Sequence, residues 1–277
     1  MAQVMQSRPR GRPRIDRDDK QAATIQALDR GIQLLRALAK EGKATLSHLA
    51  MRVGMPPSSA HRILTTLERN DLVEFREATQ EWTIGVETFR IGSSFIRGDK
   101  IVEVGVEIMK DLVDQTGETS NLAVKNKDEV VFVSQVETLN PVRALLPTGT
   151  RATMHASGIG KAMLAELDRE SLQRVLHAKG LPELTRRTIT SPEALFADLD
   201  AIRRRGWALD DEECYVGMRC VAAPIFSSLG KAVAGISVSG PTARMQDEVL
   251  PELGAKVRQA ALDVTEQTGG VRPAGDR

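Results

Sequence analysis

The sequence is poor in aromatic residues, cysteine and histidine. Its 277 residues include two Trp, one Tyr, six Phe, two Cys and four His. No Cys/His set has the spacing of a structural zinc site, so we expect no metal and no cofactor. Cys214 and Cys220 are close together in the sequence, and reduced, buried thiols are the expected state. A redox pair formed by these two residues stays open as an alternative.

Long hydrophobic runs and an excess of one charge are also absent. No run approaches eighteen uninterrupted apolar residues, and the N-terminus is rich in arginine without the apolar centre of a signal peptide. Lys and Arg number 38 against 37 Asp and Glu, a net charge of +1. With 41% hydrophobic and 27% charged residues, the composition is that of a soluble globular protein. We expect two domains, a cytoplasmic location and no membrane contact.

One local charge cluster stands out against this balance. The stretch RPRGRPR spans residues 8–14, and its centre from Pro9 to Pro13 matches the core of an AT-hook. Glycine permits a close approach to the floor of a narrow minor groove, while the flanking prolines keep arginines extended. Arg10 and Arg12 are therefore candidate DNA contacts on a disordered basic arm, residues 1–21. The alternative is a solvated arm that binds DNA non-specifically.

Residues 22–85 have the pattern of a winged helix-turn-helix domain. Apolar residues at helical spacing predict a helix that ends at Gly42, a second helix from the N-cap Thr45 to Gly54, and a third from Ser58 to Leu67. Two short helices joined by a tight glycine-containing turn are the helix-turn-helix signature. Two strand-like runs, residues 72–75 and 81–84, then predict a hairpin, or wing.

The third helix is the candidate recognition helix. Its first turn offers Ser58, Ser59, His61 and Arg62, and such a turn points side chains at base edges in the major groove. Arg62 is suited to a bidentate contact with guanine. A simpler interpretation of Ser58 is that it only caps the helix.

The second half of the chain predicts an α+β domain. Residues 86–100 suit a linker helix with a break near Gly98 and Asp99, residues 101–270 a second domain, and residues 271–277 a disordered tail. Strand-like runs occupy residues 121–125, 130–136, 142–146, 220–226 and 232–239, and helical runs occupy residues 158–167, 171–178, 191–205 and 246–267. Several strands follow one another directly, which favours an antiparallel sheet flanked by helices.

These segments together resemble one family of bacterial transcription factors. MPPSSAHRILTTLERNDLVE, a wing ending in EWTIG, MHASGIGKAMLAEL, GWALDDEECYVGMRCVAAPI and GISVSG are similar to the IclR (isocitrate lyase regulator) family, over about residues 24–268. The C-terminal segments look most like the glyoxylate-responsive members, including regulators of the β-hydroxyaspartate cycle. The resemblance implies a GAF/profilin-like effector domain, dimers that associate into homotetramers, and a palindromic DNA operator. Relatives often carry a basic residue where this chain has Pro57.

The resemblance also implies an effector site for a small carboxylate, most simply glyoxylate. The matching positions are Gly158, Ile159, Asp210, Cys220, Ser237 and Ser239. From the residues alone, Gly158 and Ile159 open a predicted helix whose free N–H groups suit a carboxylate. Ser237 and Ser239 share one face of a strand. Relatives often have a smaller residue at the position of Ile159, so the resemblance implies a smaller pocket here, which favours a two-carbon acid over a branched one.

Two other functions stay open at this point. One is a redox-sensing regulator that uses Cys214 and Cys220. The other is an enzyme in which Cys220 adds to an aldehyde acid, with His155 or Asp210 as the base. The sequence contains no nucleophile elbow and no phosphate loop that would support catalysis. We therefore expect a regulator that is not an enzyme.

Overall fold

A computed structural model describes residues 25–97 and 99–273 of the chain. They belong to two compact units that divide between Ser94 and Phe95. The predicted basic arm, with Arg10 and Arg12, lies outside the described residues, as do the last four residues of the predicted tail. Among the described helices, none combines the length and apolar character needed to cross a membrane.

The first unit is a winged helix-turn-helix, as predicted. Its elements are α1 (Gln26–Glu41), β1 (Lys43–Thr45), α2 (Leu46–Val53), α3 (Pro57–Glu68), β2 (Val73–Arg76) and β3 (Glu81–Ile84), and α4 (Val86–Arg97) follows. The sheet has the order β1, β3, β2 with antiparallel pairs. Phe75 and Trp82 are paired across the wing with ring centroids 4.9 Å apart. The helices bury Leu34, Leu49 and Leu64 against the inner face of this sheet.

Local signals at the turn between α2 and α3 explain the helix-turn-helix geometry. The Thr45 side chain accepts a hydrogen bond from the N–H of His48, which confirms Thr45 as the N-cap of α2. Gly54 has a φ of 65°, in the left-handed region that glycine adopts at low cost. The interpretation of Ser58 as a cap is wrong, because Pro56 is the N-cap and Pro57 the first residue of α3. Proline fits there because the first helical N–H has no intrahelical acceptor.

The second unit is an α+β domain around one antiparallel sheet, as predicted. Its elements are α5 (Lys100–Thr116), β4 (Thr119–Asn126), β5 (Glu129–Val136), β6 (Arg151–Thr153), α6 (Gly158–Leu164), α7 (Arg169–Lys179), α8 (Pro192–Arg205), β7 (Ala208–Asp211), β8 (Met218–Phe226), β9 (Ala232–Pro241) and α9 (Leu250–Gln267). The strand order is β6, β5, β4, β9, β8, β7. Every neighbouring pair is antiparallel.

Helices cover both faces of this sheet. Helices α5 and α9 pack on one face around Leu122, Ile236 and Val238. Helices α6, α7 and α8 pack on the other, where Cys220 and Ala222 contribute to the core. The alternation along β9 turns Ser237 and Ser239 toward this second face, as the sequence pattern predicted.

Three sequence predictions in this unit are wrong in detail. Residues 142–146 form no strand: Ala144 and Leu146 are buried loop residues, so their apolar character reflects burial and not strand pairing. The last helix begins at Leu250, not at residue 246, because an earlier start would put Pro251 in its second turn, where its missing N–H would break the ladder. Helix α6 ends at Leu164, and residues 165–167 form a turn. The short strands β6 and β7 were not predicted.

Candidate functional sites

The recognition helix α3 presents its predicted DNA-contacting residues at the surface. Ser58, His61 and Arg62 are exposed, and Ser59 is half-buried. None of these four side chains forms a hydrogen bond or an ion pair within the described residues. Ala60 and Leu64 are buried and attach the opposite face of the helix to the core. This part of α3 therefore offers hydroxyl, imidazole and guanidinium groups that are free to contact another molecule.

An open groove runs along the same unit between α1 and α3. Its volume is about 580 Å³, and Leu28, Ile32 and Ile63 are among its mainly apolar lining residues. Ser59 and Arg62 border the groove, so the candidate DNA-contacting helix and the exposed apolar side of α1 are adjacent. Leu28 and Ile32 on this side of α1 are 60% and 40% exposed.

In the second unit, five of the six predicted effector residues surround one small cavity. The cavity measures about 20 Å³ and lies between the start of α6 and the strands β7, β8 and β9. Its lining comprises Phe132, Leu146, Thr150, Ala152, Ser157, Gly158, Ile159, Asp210, Cys214, Tyr215, Met218, Cys220 and Ser239. Ser237 is fully buried but does not line it. A volume of this size is about what one water molecule needs.

Glycines allow α6 to lie directly on the sheet beside this cavity. A Cβ at Gly158 would lie 2.9 Å from Cys220 Sγ, and one at Gly235 would lie 2.6 Å from Ile159 Cγ2. The Ile159 side chain therefore packs against the strand at Gly235. Ser157 caps the helix by accepting a hydrogen bond from the Gly160 N–H. As the first two helical residues, Gly158 and Ile159 keep N–H groups without an intrahelical acceptor, but α6 has only seven residues and its dipole is correspondingly small.

Asp210 brings a carboxyl group to the cavity wall. Its Oδ1 accepts hydrogen bonds from the backbone N–H groups of Glu213, at 2.8 Å, and Cys214, at 3.2 Å. Burial, followed by the nearby charge of Glu213, raises the pKa of Asp210 to about 7, although the two backbone donors and Lys161 act in the opposite direction. Near neutral pH this carboxyl group therefore exists in both protonation states.

The thiols beside Asp210 stay protonated. Burial, followed by the charge of Asp210, raises the pKa of Cys220 to about 11 and that of Cys214 to about 12. Hydrogen bonding with Ser239 and Ser237 offsets a part of the shift at Cys220. The Ser237 hydroxyl has no hydrogen-bond partner of normal geometry among the described residues, so its contact with the thiol is weak. A protonated thiol can donate a hydrogen bond but is a poor nucleophile.

A polar row continues from the cavity across the sheet. Asn121 Nδ2 donates to Ser239 Oγ at 3.3 Å, and Gln135 Nε2 donates to Asn121 Oδ1 at 2.8 Å. The orientation of the Ser239 hydroxyl is thus held by β4, next to β9 in the sheet. Neither residue was predicted from the sequence, although their position on the cavity face of their strands follows from the register.

A buried lysine lies one turn further along α6. Lys161 is 1% exposed, and its Nζ pairs with Glu213 Oε1 and, at 2.8 Å, with Asp198 Oδ2 on α8. Its signal in the sequence was a single charge inside the apolar run GIGKAML. Tyr215 and Thr150 were missed as well, because each belongs to an irregular segment that only the fold brings to the cavity.

Other candidate residues do not meet at this site. His155 does not line the cavity; its Nε2 lies 3.0 Å from the carbonyl oxygen of Pro182, and burial lowers its pKa. Of the two bases proposed for an enzymatic thiol addition, His155 is thus not brought to Cys220, whereas Asp210 lies opposite it on the neighbouring strand. Within residues 25–97 and 99–273, no group of three His, Cys, Asp or Glu residues is arranged to hold a metal ion.

Both units are similar in sequence to domains of known proteins. Residues 27–77 match the IclR helix-turn-helix domain, and residues 94–266 match the bacterial transcriptional regulator IclR C-terminal domain. The chain is similar to the HTH-type transcriptional regulator BhcR of Paracoccus denitrificans, with 44% identity over 99% of both chains. It is 39% identical to the transcriptional repressor IclR of Escherichia coli over 90% of this chain and 92% of that protein.

A solved structure extends the similarity to the fold. An IclR homolog from Microbacterium hydrocarbonoxydans, crystallised in complex with 4-hydroxybenzoate, superposes with a TM-score of 0.77 at 25% identity, covering 87% of this chain and 98% of that one. Both domain matches occur in one chain in the same order as the two units. The chain therefore belongs to the IclR family of bacterial transcriptional regulators.

Proposed function

We propose that this regulator changes its affinity for operator DNA when a small 2-oxo acid, most simply glyoxylate, binds the cavity of the second unit. The observation that carries the proposal is the convergence of Asp210, Cys220 and Ser239 on one small enclosed cavity beside Gly158 and Ile159. The family consists of transcriptional regulators, and an enzymatic function is set aside for that reason.

The size of the cavity favours a very small ligand. At about 20 Å³ it has no room for an aromatic acid unless the wall moves far outward. Ile159 occupies the space over Gly235 and so keeps the cavity short. A two-carbon acid requires the smallest displacement of the irregular segment that carries Cys214 and Tyr215.

The polar groups of the wall match an oxo acid. The Ser239 hydroxyl and the protonated Cys220 thiol can donate to carboxylate or carbonyl oxygens. A neutral Asp210 can donate as well, whereas an ionised Asp210 would repel the anion. Because α6 is short, we assign the N–H groups of Gly158 and Ile159 a supporting role rather than the main one. Ser237 would act through the Cys220 thiol.

The DNA-binding half of the proposal rests on α3. Ser58, Ser59, His61 and Arg62 would contact the major groove, and Arg62 could distinguish guanine. Two copies of the unit on a palindromic site would read two half-sites. Arg10 and Arg12 would add minor-groove contacts. Their positive charge would compensate for the basic residue that relatives often carry at the position of Pro57. Because the proposed target is DNA, we propose that the protein acts in the cytoplasm.

The exposed apolar surface of the first unit supports self-association. Ile25, Leu28 and Ile32 on α1 are 69%, 60% and 40% exposed, and an exposed apolar face of this kind is characteristic of an interface. We propose that a second copy covers it in a homodimer, and that dimers associate into a homotetramer. The effector would then bind one arrangement of the DNA-binding units better than the other, with a coupling of about 1–3 kcal/mol.

Calorimetric titration with glyoxylate tests the effector. Saturable binding to the unaltered protein that Ser239→Ala and Cys220→Ala both weaken is the expected result. Ser134→Ala is a matched control, since Ser134 pairs with Leu122 and both face the other side of the sheet. Absence of binding to the unaltered protein, or equal weakening by the control, would contradict the glyoxylate assignment.

The redox alternative makes a different prediction. If Cys214 and Cys220 sense oxidants, DNA binding should change with mild oxidant and Cys214→Ser should abolish the change. The raised pKa of both thiols argues against it, because the thiolate is the reactive form. We therefore expect DNA binding to be insensitive to mild oxidant.

A further inference from the structure

Three parts of the effector unit meet at the buried ammonium group of Lys161. The residue lies on α6, whose first residues line the cavity, and it contacts Asp198 on α8. Its other partner, Glu213, belongs to residues 212–217, the segment that connects β7 to β8 and supplies Cys214 and Tyr215 to the cavity wall. Lys161 thus connects α6, which lines one side of the cavity, with the segment 212–217, which lines another.

The Glu213 carboxylate has little else to hold it inside the protein. Its Oε1 faces Lys161 and, at 3.5 Å, the backbone N–H of Asp211. Its Oε2 is buried without a hydrogen-bond partner among the described residues. A buried carboxylate that loses its cation is strongly unfavourable, so without Lys161 the Glu213 side chain would turn toward water and draw its backbone with it.

The rest of the segment depends on the same position of Glu213. The carboxyl of Asp210 accepts from the N–H groups of Glu213 and Cys214, and the Glu213 carbonyl accepts from Thr188 Oγ1 at 2.7 Å. These bonds are made to the backbone of one short stretch. An outward turn of Glu213 would therefore disturb Asp210, Cys214 and Tyr215 together.

We propose that Lys161 is a positioning residue that holds the segment 212–217 closed over the effector cavity and thereby sets the effector affinity. This inference rests on the proposed function for the identity of the effector, while the closure itself is a property of the protein without ligand. Lys161 does not line the cavity, so it acts through Glu213 and not by touching the ligand.

The test uses a pair of isosteric changes. Lys161→Met leaves Glu213 buried without a cation, and adding Glu213→Gln removes that uncompensated charge. In a Cys220→Ala background, Cys214 is the single cysteine, and its rate of reaction with Ellman's reagent reports opening of the segment. We expect Lys161→Met to raise this rate at least tenfold, and the double change to bring it back to within threefold of the Cys220→Ala parent.

A remote change controls for a general loss of stability. Thr265→Val removes a buried hydrogen bond from the Phe226 N–H on the other face of the sheet. It should leave the Cys214 reaction rate within twofold of that of the Cys220→Ala parent, even if it lowers the melting temperature as much as Lys161→Met does. An unchanged rate in Lys161→Met, equal acceleration in Thr265→Val, or no recovery in the double variant would each overturn the proposal.

Glyoxylate titration then connects closure to binding. With both cysteines native, Lys161→Met should weaken glyoxylate binding at least tenfold and the double change should recover most of the affinity. If the unaltered protein binds no glyoxylate, the proposed effector is wrong while the Cys214 rates still decide whether the segment is held closed. If Lys161→Met binds glyoxylate as tightly as the unaltered protein, the role in affinity is refuted.

Discussion

The contact between Gly158 and Cys220 makes a quantitative prediction about Gly158→Ala. The added Cβ would lie 2.9 Å from Cys220 Sγ and 3.2 Å from the Cβ of Ala222, whereas non-bonded carbon atoms prefer about 3.5–4.0 Å. Overpacking of this kind costs about 1–3 kcal/mol. The φ of Gly158 does not lie in the left-handed region, so the alanine backbone itself is not strained.

The higher helix propensity of alanine partly offsets this cost. In a helix interior alanine is a better helix former than glycine by about 1 kcal/mol. At Gly158, the first residue of α6, this value is the upper limit of the gain, which is independent of the clash. We therefore expect Gly158→Ala to lower the free energy of unfolding by about 1 kcal/mol, or the melting temperature by about 2–4 °C for a unit of this size.

Removing the sulfur isolates the clash. In a Cys220→Ala background the closest atom is gone, so Gly158→Ala should become neutral or stabilising. The expected coupling between the two positions is about 1–2 kcal/mol, well above the scatter of about 0.5 kcal/mol for independent sites. The assay is urea denaturation followed by Trp207 fluorescence in a Trp82→Phe background, because these are the two tryptophans of the chain and Trp207 belongs to the second unit. Additive effects of the two substitutions would refute the packing argument.

Three further predictions concern protonation and DNA binding. The folded-state pKa of Asp210, about 7, exceeds its ordinary value of 3.8, so the folded chain binds this proton more tightly. The free energy of unfolding should fall as pH rises from about 4 to 7, by up to about 1.4 kcal/mol per pH unit. In Asp210→Asn this contribution to the pH dependence of the unfolding free energy should be absent. If urea denaturation shows the same pH dependence in the variant and the unaltered protein, the prediction is contradicted. Deleting residues 1–14 should make the slope of log affinity for DNA against log salt shallower by roughly 2.7, if about three arginines contact DNA; an unchanged slope would leave the arm without a role in binding. Arg62→Ala should cost about 1–3 kcal/mol on the sequence selected from a random DNA library and relax one base preference. Arg69→Ala, at the other end of α3, should affect binding less, and equal losses would argue against readout by Arg62.

The winged helix-turn-helix could be predicted nearly element by element because its signals are local. Gly42 and Gly54 end helices by adopting a positive φ, and Thr45 caps α2. These properties depend on a few neighbouring residues, and so they can be read from the chain. The false strand at residues 142–146 had a different cause: apolar residues are buried in loops as well as in strands, and periodicity does not distinguish the two over five positions.

The cavity of the second unit could be predicted only in part. Gly158, Asp210, Cys220 and Ser239 were identified through the family resemblance, and the structure brings them together. Tyr215, Thr150 and Asn121 have no local pattern that marks them. Their place at or beside the cavity depends on which strands are neighbours and on the course of an irregular segment.

The amino-acid sequence by itself determined the two-unit organisation, the helix-turn-helix, the antiparallel α+β class and the membership of the family, because periodicity, caps and motif order are properties of the chain. The tertiary structure alone decided how closely α6 approaches Cys220, how small the cavity is, and that Lys161 is bound between Glu213 and Asp198. Those features arise from contacts between residues dozens of positions apart. The same contacts bury Asp210 and raise its pKa, and they hold the buried Lys161 in two ion pairs beside the cavity.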